Sequence, residues 1–312
     1  MTNQILITGG AGYLGSIMVP ELLSQGHHVT VIDNFMYGQS SLNHVCYHPN
    51  FKIVKGDIRI ESTMLPLLKN ADIIIPLAAY VGAPLCSKDP IGATSVNHDA
   101  IVMMLRNLSK NQRILMPTTN SAYGSGDKNN FCTEDSPLKP ISQYAIEKVK
   151  IEKVLMQHEN AISFRLATVF GMAPRMRIDL LVNDFTYRAF YDRFVVLFEP
   201  HFKRNYIHVR DVTRAFIHGI NNFEKMNGQI FNVGLSEANV SKLELCIAIQ
   251  KELPDFIFPE AALGKDPDQR NYIVSNEKIE ATGFKTEFTL QSGIKDLING
   301  FTMIKNTRYG NV

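Results

Sequence analysis

Short apolar runs rich in β-branched residues alternate with segments of helical spacing through the first half of the chain. The runs predict strands, and the segments that place apolar residues three or four apart predict helices. The predicted strands cover residues 4–8, 28–33, 51–57, 71–79, 112–119 and 161–171. The predicted helices cover residues 14–26, 62–70, 90–110 and 141–157. Apolar strands that alternate with helices indicate an α/β fold with a parallel sheet covered on both faces.

The length of 312 residues allows a large core and two lobes. We expect a Rossmann-type, doubly wound parallel sheet over residues 1–170 and a smaller C-terminal lobe over most of residues 171–312. A segment near residues 205–235 is expected to return to the first domain. Ligands of such sheets bind beyond the carboxyl ends of the strands, so the informative side chains should directly follow the strands.

Charge and composition narrow the class of protein. The net charge is only +2 and no basic block stands out, which gives little support for binding nucleic acid or a membrane surface. No apolar stretch approaches the roughly 20 residues of a membrane span, and the first residues lack the features of a secretory signal. We therefore expect a cytoplasmic protein. Four scattered cysteines (Cys46, Cys86, Cys132 and Cys246) predict reduced thiols and no metal site.

The stretch TGGAGYLG directly follows the first predicted strand and opens the first predicted helix. It spaces Gly9, Gly12 and Gly15 three residues apart. The first glycine permits a tight turn, the second lets a pyrophosphate approach the backbone, and the third allows close helix–strand packing. The start of the helix adds N–H groups and partial positive charge for phosphates. This pattern predicts a dinucleotide site.

Two acidic residues extend the predicted dinucleotide site. Asp33 ends the second strand, where a carboxylate accepts hydrogen bonds from both ribose hydroxyls and repels a 2′-phosphate, so the pattern favours NAD over NADP. Asp57 follows the third strand and can accept a hydrogen bond from the adenine amino group.

A tyrosine and a lysine share one face of the fourth predicted helix. Tyr144 and Lys148 are four residues apart, a spacing that many helices show by chance. Beside a nicotinamide, however, the phenol can serve as the base that oxidation of an alcohol requires. Its pKa, normally near 10, would be lowered by the ammonium of Lys148 and by the nicotinamide charge. A hydroxyl in PTTNSAYG, after the fifth strand, would orient the substrate oxygen.

These stretches together resemble the extended short-chain dehydrogenase/reductases, of the NAD-dependent nucleotide-sugar epimerase/dehydratase kind. The resemblance lies in TGGAGYLG, VIDN, GDI, LAA, TTNSAYG, YAIEK, RLATVFG, RNYIHVRDV and FNVG, which follow the family's order over nearly the whole chain. It implies that Tyr144 is the acid/base and that Lys148 activates it. Thr119, four residues before Tyr123, is the implied hydroxyl, in preference to its neighbours Thr118 and Ser121. Further implied cofactor contacts are Tyr13, Leu14, Asn34, Ile58, Leu77, Ala78, Ala79 and Asn97.

The same resemblance implies that the smaller lobe binds the nucleotide sugar. Arginine forks suit its pyrophosphate. The predicted substrate contacts are Val81, Gly82, Asn120, Ser121, Arg175, Asn183, Arg204 and Arg270. For Arg177 and Arg210, a binding role and a solvated surface position both stay open.

The chemistry that the resemblance implies depends on the two residues after Thr119. In 4,6-dehydratases of this family these positions carry acids, whereas here Asn120 and Ser121 do not titrate near neutral pH. This argues against dehydration and favours oxidation at C4, by an epimerase or by a net dehydrogenase. The alternatives are a 4,6-dehydratase and a catalytically silent NAD-binding regulator.

A narrower resemblance concerns the substrate. PLAAYVGAPLC, TNSAYGSG and RLATVFGMAPRMRIDLLVNDFTYRAF are similar to a subgroup that makes sugars for bacterial surface polysaccharides. This subgroup includes GDP-manno-heptose 4-dehydrogenase, and its members differ in nucleotide and sugar. The family resemblance also implies a homodimer through a four-helix bundle, built from the helices predicted at 90–110 and 141–157.

Overall fold

The computed structural model of the protein describes residues 2–125, 131–261 and 270–304. Its strands are β1 (Gln4–Thr8), β2 (His28–Asp33), β3 (Phe51–Lys55), β4 (Ile73–Pro76), β5 (Arg113–Thr119), β6 (Ala161–Leu166), β7 (Thr168–Phe170), β8 (Lys203–His208), β9 (Gln229–Val233) and β10 (Asn239–Ser241). Its α-helices are α1 (Gly15–Ser24), α2 (Glu61–Lys69), α3 (Ala83–Lys88), α4 (Pro90–Thr94), α5 (Ala100–Arg106), α6 (Gln143–Leu155), α7 (Leu181–Tyr191), α8 (Val209–Asn221), α9 (Phe223–Met226), α10 (Lys242–Gln250), α11 (Glu277–Glu280) and α12 (Leu290–Phe301).

One parallel sheet organises the described residues. Its strand order is β3-β2-β1-β4-β5-β6-β9, and each neighbouring pair runs in the same direction. The order reverses between β1 and β4, as in doubly wound dinucleotide-binding folds. The predicted Rossmann-type α/β fold is thus confirmed, and its ligand crevice is expected beyond Thr8 and Pro76, where β1 and β4 end.

Burial on both faces explains why the strands are continuously apolar. On one face, Leu6 of β1 packs with Met104 of α5 and Leu155 of α6. On the other face, Ile7 packs with Leu22 of α1 and Phe216 of α8. Successive side chains of a strand point to opposite faces, so a two-sided sheet needs apolar residues at every position.

A second, three-stranded sheet has the order β10-β8-β7. A further core around Val182, Leu245 and Leu297 packs helices α7, α10 and α12 together. Most of the expected return segment lies with the large sheet, since α8 packs against α1 and β9 pairs with β6. Residues 205–208, however, belong to β8 of the small sheet.

Two predicted elements differ from the structure. The helix predicted over 90–110 is interrupted by a π-helical segment, Ser95–Asp99, and ends at Arg106. At this end, the side-chain amide of the C-cap residue Asn107 donates to the carbonyl oxygen of Met103 (2.9 Å). The strand predicted over 161–171 is divided between the sheets at Ala167, which pairs with β9 before the chain turns to β8.

Candidate active site

A cavity of about 860 Å³ lies beyond the carboxyl ends of β1 to β6. Residues that end or follow these six strands line it, as the doubly wound fold predicts. Its opposite wall comes from the second half of the chain. The lining residues there include Arg175, Arg177, Arg204, Arg270 and Tyr272.

The glycine loop forms a cradle that side chains would fill. Gly9 has φ +66°, and a Cβ there would lie 2.6 Å from the backbone of Ala78. A Cβ on Gly15 would overlap the backbone of Gly10. The loop therefore keeps the backbone close to any ligand beside the start of α1, where main-chain N–H groups are available for phosphates. These residues fit a dinucleotide pyrophosphate.

Asp33 is buried at the end of β2 and faces the cavity. Its Oδ2 accepts a hydrogen bond from the N–H of Ala11 (3.0 Å), and its Oδ1 accepts one from the N–H of Phe35 (2.8 Å). Burial raises the pKa of this carboxyl, and these two hydrogen bonds and the charge of Arg175 oppose that rise. Oδ1 also accepts from the side-chain amide of Gln39 (3.3 Å), so Oδ2 is the oxygen that keeps a lone pair for a ribose hydroxyl.

Asp57 also lines the cavity, but it is engaged by Arg59. Nε of Arg59 donates to both carboxylate oxygens (3.0 and 3.1 Å), and its main-chain N–H donates to Oδ1 (2.9 Å). The hydrogen bonds from the Arg59 side chain hold the pKa of Asp57 below its usual value. An acceptor for an adenine amino group is therefore present, in an ion pair that the sequence did not predict.

Nearly all the predicted cofactor residues reach this cavity. On its wall lie Gly9, Gly12, Tyr13, Leu14, Gly15, Asp33, Asn34, Asp57, Ile58, Leu77, Ala78, Ala79, Tyr144 and Lys148. The exception is Asn97, which is buried in the π-helical segment. Its side chain accepts from the N–H of Tyr80 (2.8 Å) and donates to the carbonyl oxygen of Tyr80 (2.9 Å). The prediction for Asn97 is corrected: it holds the chain after β4 instead of lining the cavity.

Helix α6 presents the predicted catalytic pair to the cavity. Ser142 caps its first turn, and both Tyr144 and Lys148 lie on the cavity wall. Nζ of Lys148 donates to the carbonyl oxygen of Pro117 on β5 (3.1 Å), and burial lowers its pKa to about 8. The helix is thereby tied to the strand that carries the predicted hydroxyl.

The electrostatics of Tyr144 differ from the prediction. Burial raises the pKa of its phenol to about 12, and the cations that oppose this rise are Arg177 and Arg270. The sequence predicted that Lys148 would lower the pKa of Tyr144, but its ammonium instead donates to the carbonyl oxygen of Pro117. The phenol of the cofactor-free protein is therefore protonated at neutral pH.

The two threonines that end β5 have different surroundings. Oγ1 of Thr119 accepts a hydrogen bond from the N–H of Ser121 (3.1 Å), which leaves its own proton for another acceptor. The hydroxyl of Thr118 donates to Oε2 of Glu152 (2.9 Å) and contacts Oγ of Ser163 (2.9 Å). Both line the cavity, but only Thr118 is engaged in a buried side-chain network. This geometry agrees with the preference for Thr119.

That network centres on an ion pair that sequence reasoning missed. Nη2 of Arg165 on β6 lies 2.7 Å from Oε1 of Glu152 on α6, and the two side chains are only 4% and 5% exposed. Nη1 of Arg165 also donates to the hydroxyl of Tyr123 (3.0 Å), which donates to Asn232 on β9 (2.7 Å). The available signal was spacing, because Glu152 lies four residues after Lys148 on the same helical face.

Six of the eight predicted substrate residues line the cavity: Val81, Gly82, Ser121, Arg175, Arg204 and Arg270. Nη1 of Arg270 donates to Oγ of Ser121, which joins the two halves of the chain across the cavity. Arg175 also packs on the ring of Tyr37, with its guanidinium carbon 4.5 Å from the ring centroid, and its charge acts on the Asp33 carboxyl.

The remaining two predictions are corrected, because Asn120 and Asn183 do not lie on the cavity wall. Asn183 accepts from the N–H of Gly171 (3.0 Å) and donates to the carbonyl oxygen of Arg177 (2.8 Å), so its amide holds the chain. Asn120 is fully buried in the short helix after β5, and its amide has no hydrogen-bond partner among the described residues.

The structure also places the two arginines that the sequence left open. Arg177 lies on the cavity wall and pairs with Asp179, another lining residue, at 2.5 Å. Its side chain is only 11% exposed. Arg210 is exposed on α8 and does not line the cavity. Arg177 is thus a site residue that charge and spacing alone did not identify.

Comparison with known proteins agrees with this architecture. Residues 5–234 match the NAD dependent epimerase/dehydratase family. The chain belongs to this family. The predicted NAD cofactor and the predicted class of nucleotide-sugar enzymes are confirmed at this level, since members of the epimerase/dehydratase family use NAD.

Relatives extend over nearly the whole chain. The protein is 26% identical to the low-salt glycan biosynthesis protein Agl12 of Haloferax volcanii, over 95% of this chain and 97% of that protein. It is 25% identical to UDP-N-acetyl-α-D-glucosaminuronate decarboxylase of Bacillus cytotoxicus, over 98% of this chain and 100% of that protein. The structure of UDP-glucuronic acid 4-epimerase from Bacillus cereus, with UDP-glucuronic acid and NAD, superposes with a TM-score of 0.86. That likeness, at 20% identity over 96% of this chain and 99% of that chain, shows the fold.

A metal site and a membrane-spanning helix are both absent from the described residues. They contain no group of three or more His, Cys, Asp or Glu side chains that could hold a metal ion. None of the helices in residues 2–125, 131–261 and 270–304 is long and apolar enough to cross a membrane.

The buried ion pair yields a stability prediction. Arg165→Met leaves the Glu152 carboxylate buried without its counter-ion, so we expect the free energy of unfolding to fall by about 3–5 kcal/mol. Urea denaturation followed by circular dichroism measures it. The matched control is Arg188→Met, which breaks the more exposed pair with Asp184 and should cost about 1 kcal/mol or less. Equal losses in the two variants would contradict the central place of the Glu152–Arg165 pair.

Proposed function

We propose that the protein is an NAD-dependent oxidoreductase that acts at C4 of a nucleotide-activated sugar. One observation carries the proposal: Thr119, Tyr144 and Lys148 lie on the wall of the same cavity as the glycine loop and a group of arginines. The glycine loop suits a dinucleotide, and Arg204 and Arg270 suit a second diphosphate. A single cavity of about 860 Å³ brings these groups together.

The residues divide the reaction between them. When bound, NAD supplies a hydride acceptor. Tyr144 takes the proton of the C4 hydroxyl, and Thr119, with its own proton available, donates a hydrogen bond to the same oxygen. Lys148 bonds the carbonyl oxygen of Pro117 and so fixes α6 against β5. In the proposed complex it would also hold the nicotinamide ribose. Arg177 and Arg270 stabilise the phenolate that Tyr144 must become.

The geometry disfavours the rival dehydration. Elimination of water across C5 and C6 requires an acid and a base near the sugar. Asn120 is buried away from the cavity, and Ser121 accepts a hydrogen bond from Arg270. Neither side chain titrates near neutral pH. C4 oxidation, followed either by return of the hydride to the other face or by release of the ketone, therefore suits this cavity better.

For the substrate we propose a GDP-linked heptose or hexose of surface-polysaccharide synthesis. The stretch APRMR carries the narrower resemblance, and it contributes two arginines, Arg175 and Arg177, to the cavity wall. The glycan-biosynthesis name of the Haloferax relative supports this setting. Both a 4-dehydrogenase and a 4-epimerase are compatible with the three catalytic residues, and the products distinguish them.

The direct test incubates the purified protein with UDP-, GDP-, CDP- and dTDP-sugars and follows products by mass spectrometry and NMR. An isomer of unchanged mass, formed without added oxidant, identifies an epimerase. A product two mass units lighter, formed only when NAD is supplied in excess or an added 2-keto acid reoxidises the NADH, identifies a dehydrogenase. Loss of water would contradict our interpretation of Asn120 and Ser121.

Replacement of the proposed base should abolish turnover without affecting the fold. Tyr144→Phe removes the group that takes the proton, so we expect kcat to fall by about 10²–10⁴-fold. NADH formation or product yield measures it, and retained NAD binding shows that the cavity is intact. The matched control, Tyr47→Phe, alters a tyrosine that is 84% exposed and should keep full activity. A Tyr144→Phe protein that keeps full cellular function would instead favour the silent regulator.

A charge change beside Tyr144 should move the pH profile in a defined direction. Arg177 lowers the pKa of the phenol, so Arg177→Gln should raise the pKa that governs kcat/KM. The profile then moves to higher pH, and the rate on its acidic side falls about tenfold when that pKa rises by about one pH unit. Arg177→Lys keeps the charge and should restore most of the rate. An unchanged profile for Arg177→Gln would exclude this electrostatic role.

We also propose a homodimer that pairs α4–α5 and α6 of each subunit. Ile91 of α4 is 85% exposed in the single chain, which a partner would explain. Light scattering on size-exclusion eluate should give about twice the chain mass of 35.1 kDa. Ile91→Glu places a charge on this surface and should yield monomers, whereas Ile257→Glu, at an exposed position outside these helices, should not. A monomeric wild-type protein would contradict the proposal.

A further inference from the structure

Asp33, which ends β2, lines the cavity together with Tyr37 and Arg175. The guanidinium carbon of Arg175 lies 4.5 Å from the ring centroid of Tyr37. Arg175 is only 4% exposed as a residue, and its charge acts on the Asp33 carboxyl. A buried cation on the cavity wall therefore acts on the acid that faces the expected adenosine ribose.

The backbone of Arg175 is anchored to the dinucleotide loop. Its N–H donates to Oγ of Ser16 in the first turn of α1 (3.3 Å). A few residues earlier, the carbonyl oxygen of Gly171 accepts from the hydroxyl of Tyr13 (2.6 Å), which belongs to the glycine loop. Arg175 is thus part of the dinucleotide wall, although it lies about 140 residues beyond Asp33 in the sequence.

We propose that Arg175 determines dinucleotide specificity together with Asp33. The Asp33 carboxylate excludes a 2′-phosphate, and Arg175 is the cation that would bind this phosphate once the carboxylate is removed. The inference rests on the proposed function only in that a dinucleotide occupies this cavity. It does not depend on which sugar reacts.

Geometry supports this division of roles. The N–H groups of Ala11 and Phe35 hold the Asp33 oxygens in place, so the negative charge cannot turn away from an incoming phosphate. Without the carboxylate, the same two N–H groups become donors for an anion. A planar guanidinium that is already packed on an aromatic ring binds phosphate oxygens with little further ordering.

The test measures binding of NAD⁺ and NADP⁺ to the purified chain by isothermal titration calorimetry. Wild type should prefer NAD⁺. Asp33→Ser should bind NADP⁺ at least about tenfold more tightly than wild type does, since a like charge is removed and a charge-assisted pair forms. Asp33→Ser/Arg175→Gln should lose that gain, whereas Asp33→Ser/Arg188→Gln, which removes an exposed positive charge on α7, should keep it.

Several outcomes would overturn the proposal. One is an Asp33→Ser protein with no gain for NADP⁺, and another is a double variant with Arg175→Gln that keeps the gain. A third is equal weakening of both dinucleotides by Arg175→Gln alone, which would assign Arg175 to the shared pyrophosphate. If Asp33→Ser fails to fold by circular dichroism, Asp33→Asn removes the charge with a closer shape. A wild type that binds neither dinucleotide would contradict the proposed function itself.

Discussion

The buried ion pair between Glu152 and Arg165 fixes the relative position of the two elements that carry the proposed chemistry. Glu152 belongs to the helix of Tyr144, and its carboxylate also accepts a hydrogen bond from the hydroxyl of Thr118 at the end of β5. Arg165 belongs to β6 and reaches Tyr123 beyond β5. Burying two charges is costly unless their hydrogen bonds are satisfied, so this arrangement tolerates little displacement. Tyr144 and Thr119 are thus held in register by an ion pair whose two side chains do not line the cavity.

Within the cavity, burial and nearby charges act in opposite directions on the pKa of Tyr144. Burial raises the pKa of the Tyr144 phenol to about 12 and lowers the pKa of the Lys148 ammonium to about 8. Arg177 and Arg270 act against burial at the phenol. Both come from the second half of the chain, so these charges reach Tyr144 only where the two halves of the chain meet. In the proposed function, the charge of an oxidised nicotinamide would add to theirs and favour ionisation of Tyr144 further.

Much of the fold and of the cofactor site could be predicted from the sequence, because each strand in a parallel sheet ends at the same edge. The glycines after β1 and Asp33 after β2 needed only the order of the elements, whereas the choice of Thr119 among the hydroxyls after β5 came from the family resemblance. The roles of Arg175, Asn183 and Asn97 could not be predicted this way. They depend on contacts such as the bond from Arg175 to Ser16, across 159 positions of sequence, which no local spacing encodes.

The segment from Gly171 to Asn183 shows why such contacts matter for function. Asn183 bonds Gly171 and Arg177, and its amide also donates to the hydroxyl of Tyr13 in the glycine loop (3.3 Å). The same few residues therefore present Arg175 to the dinucleotide wall and Arg177 to Tyr144. Asn183, predicted as a substrate contact, instead bonds both this segment and the glycine loop. Its hydrogen bonds therefore connect the parts of the cavity wall that carry Tyr13 and Arg177.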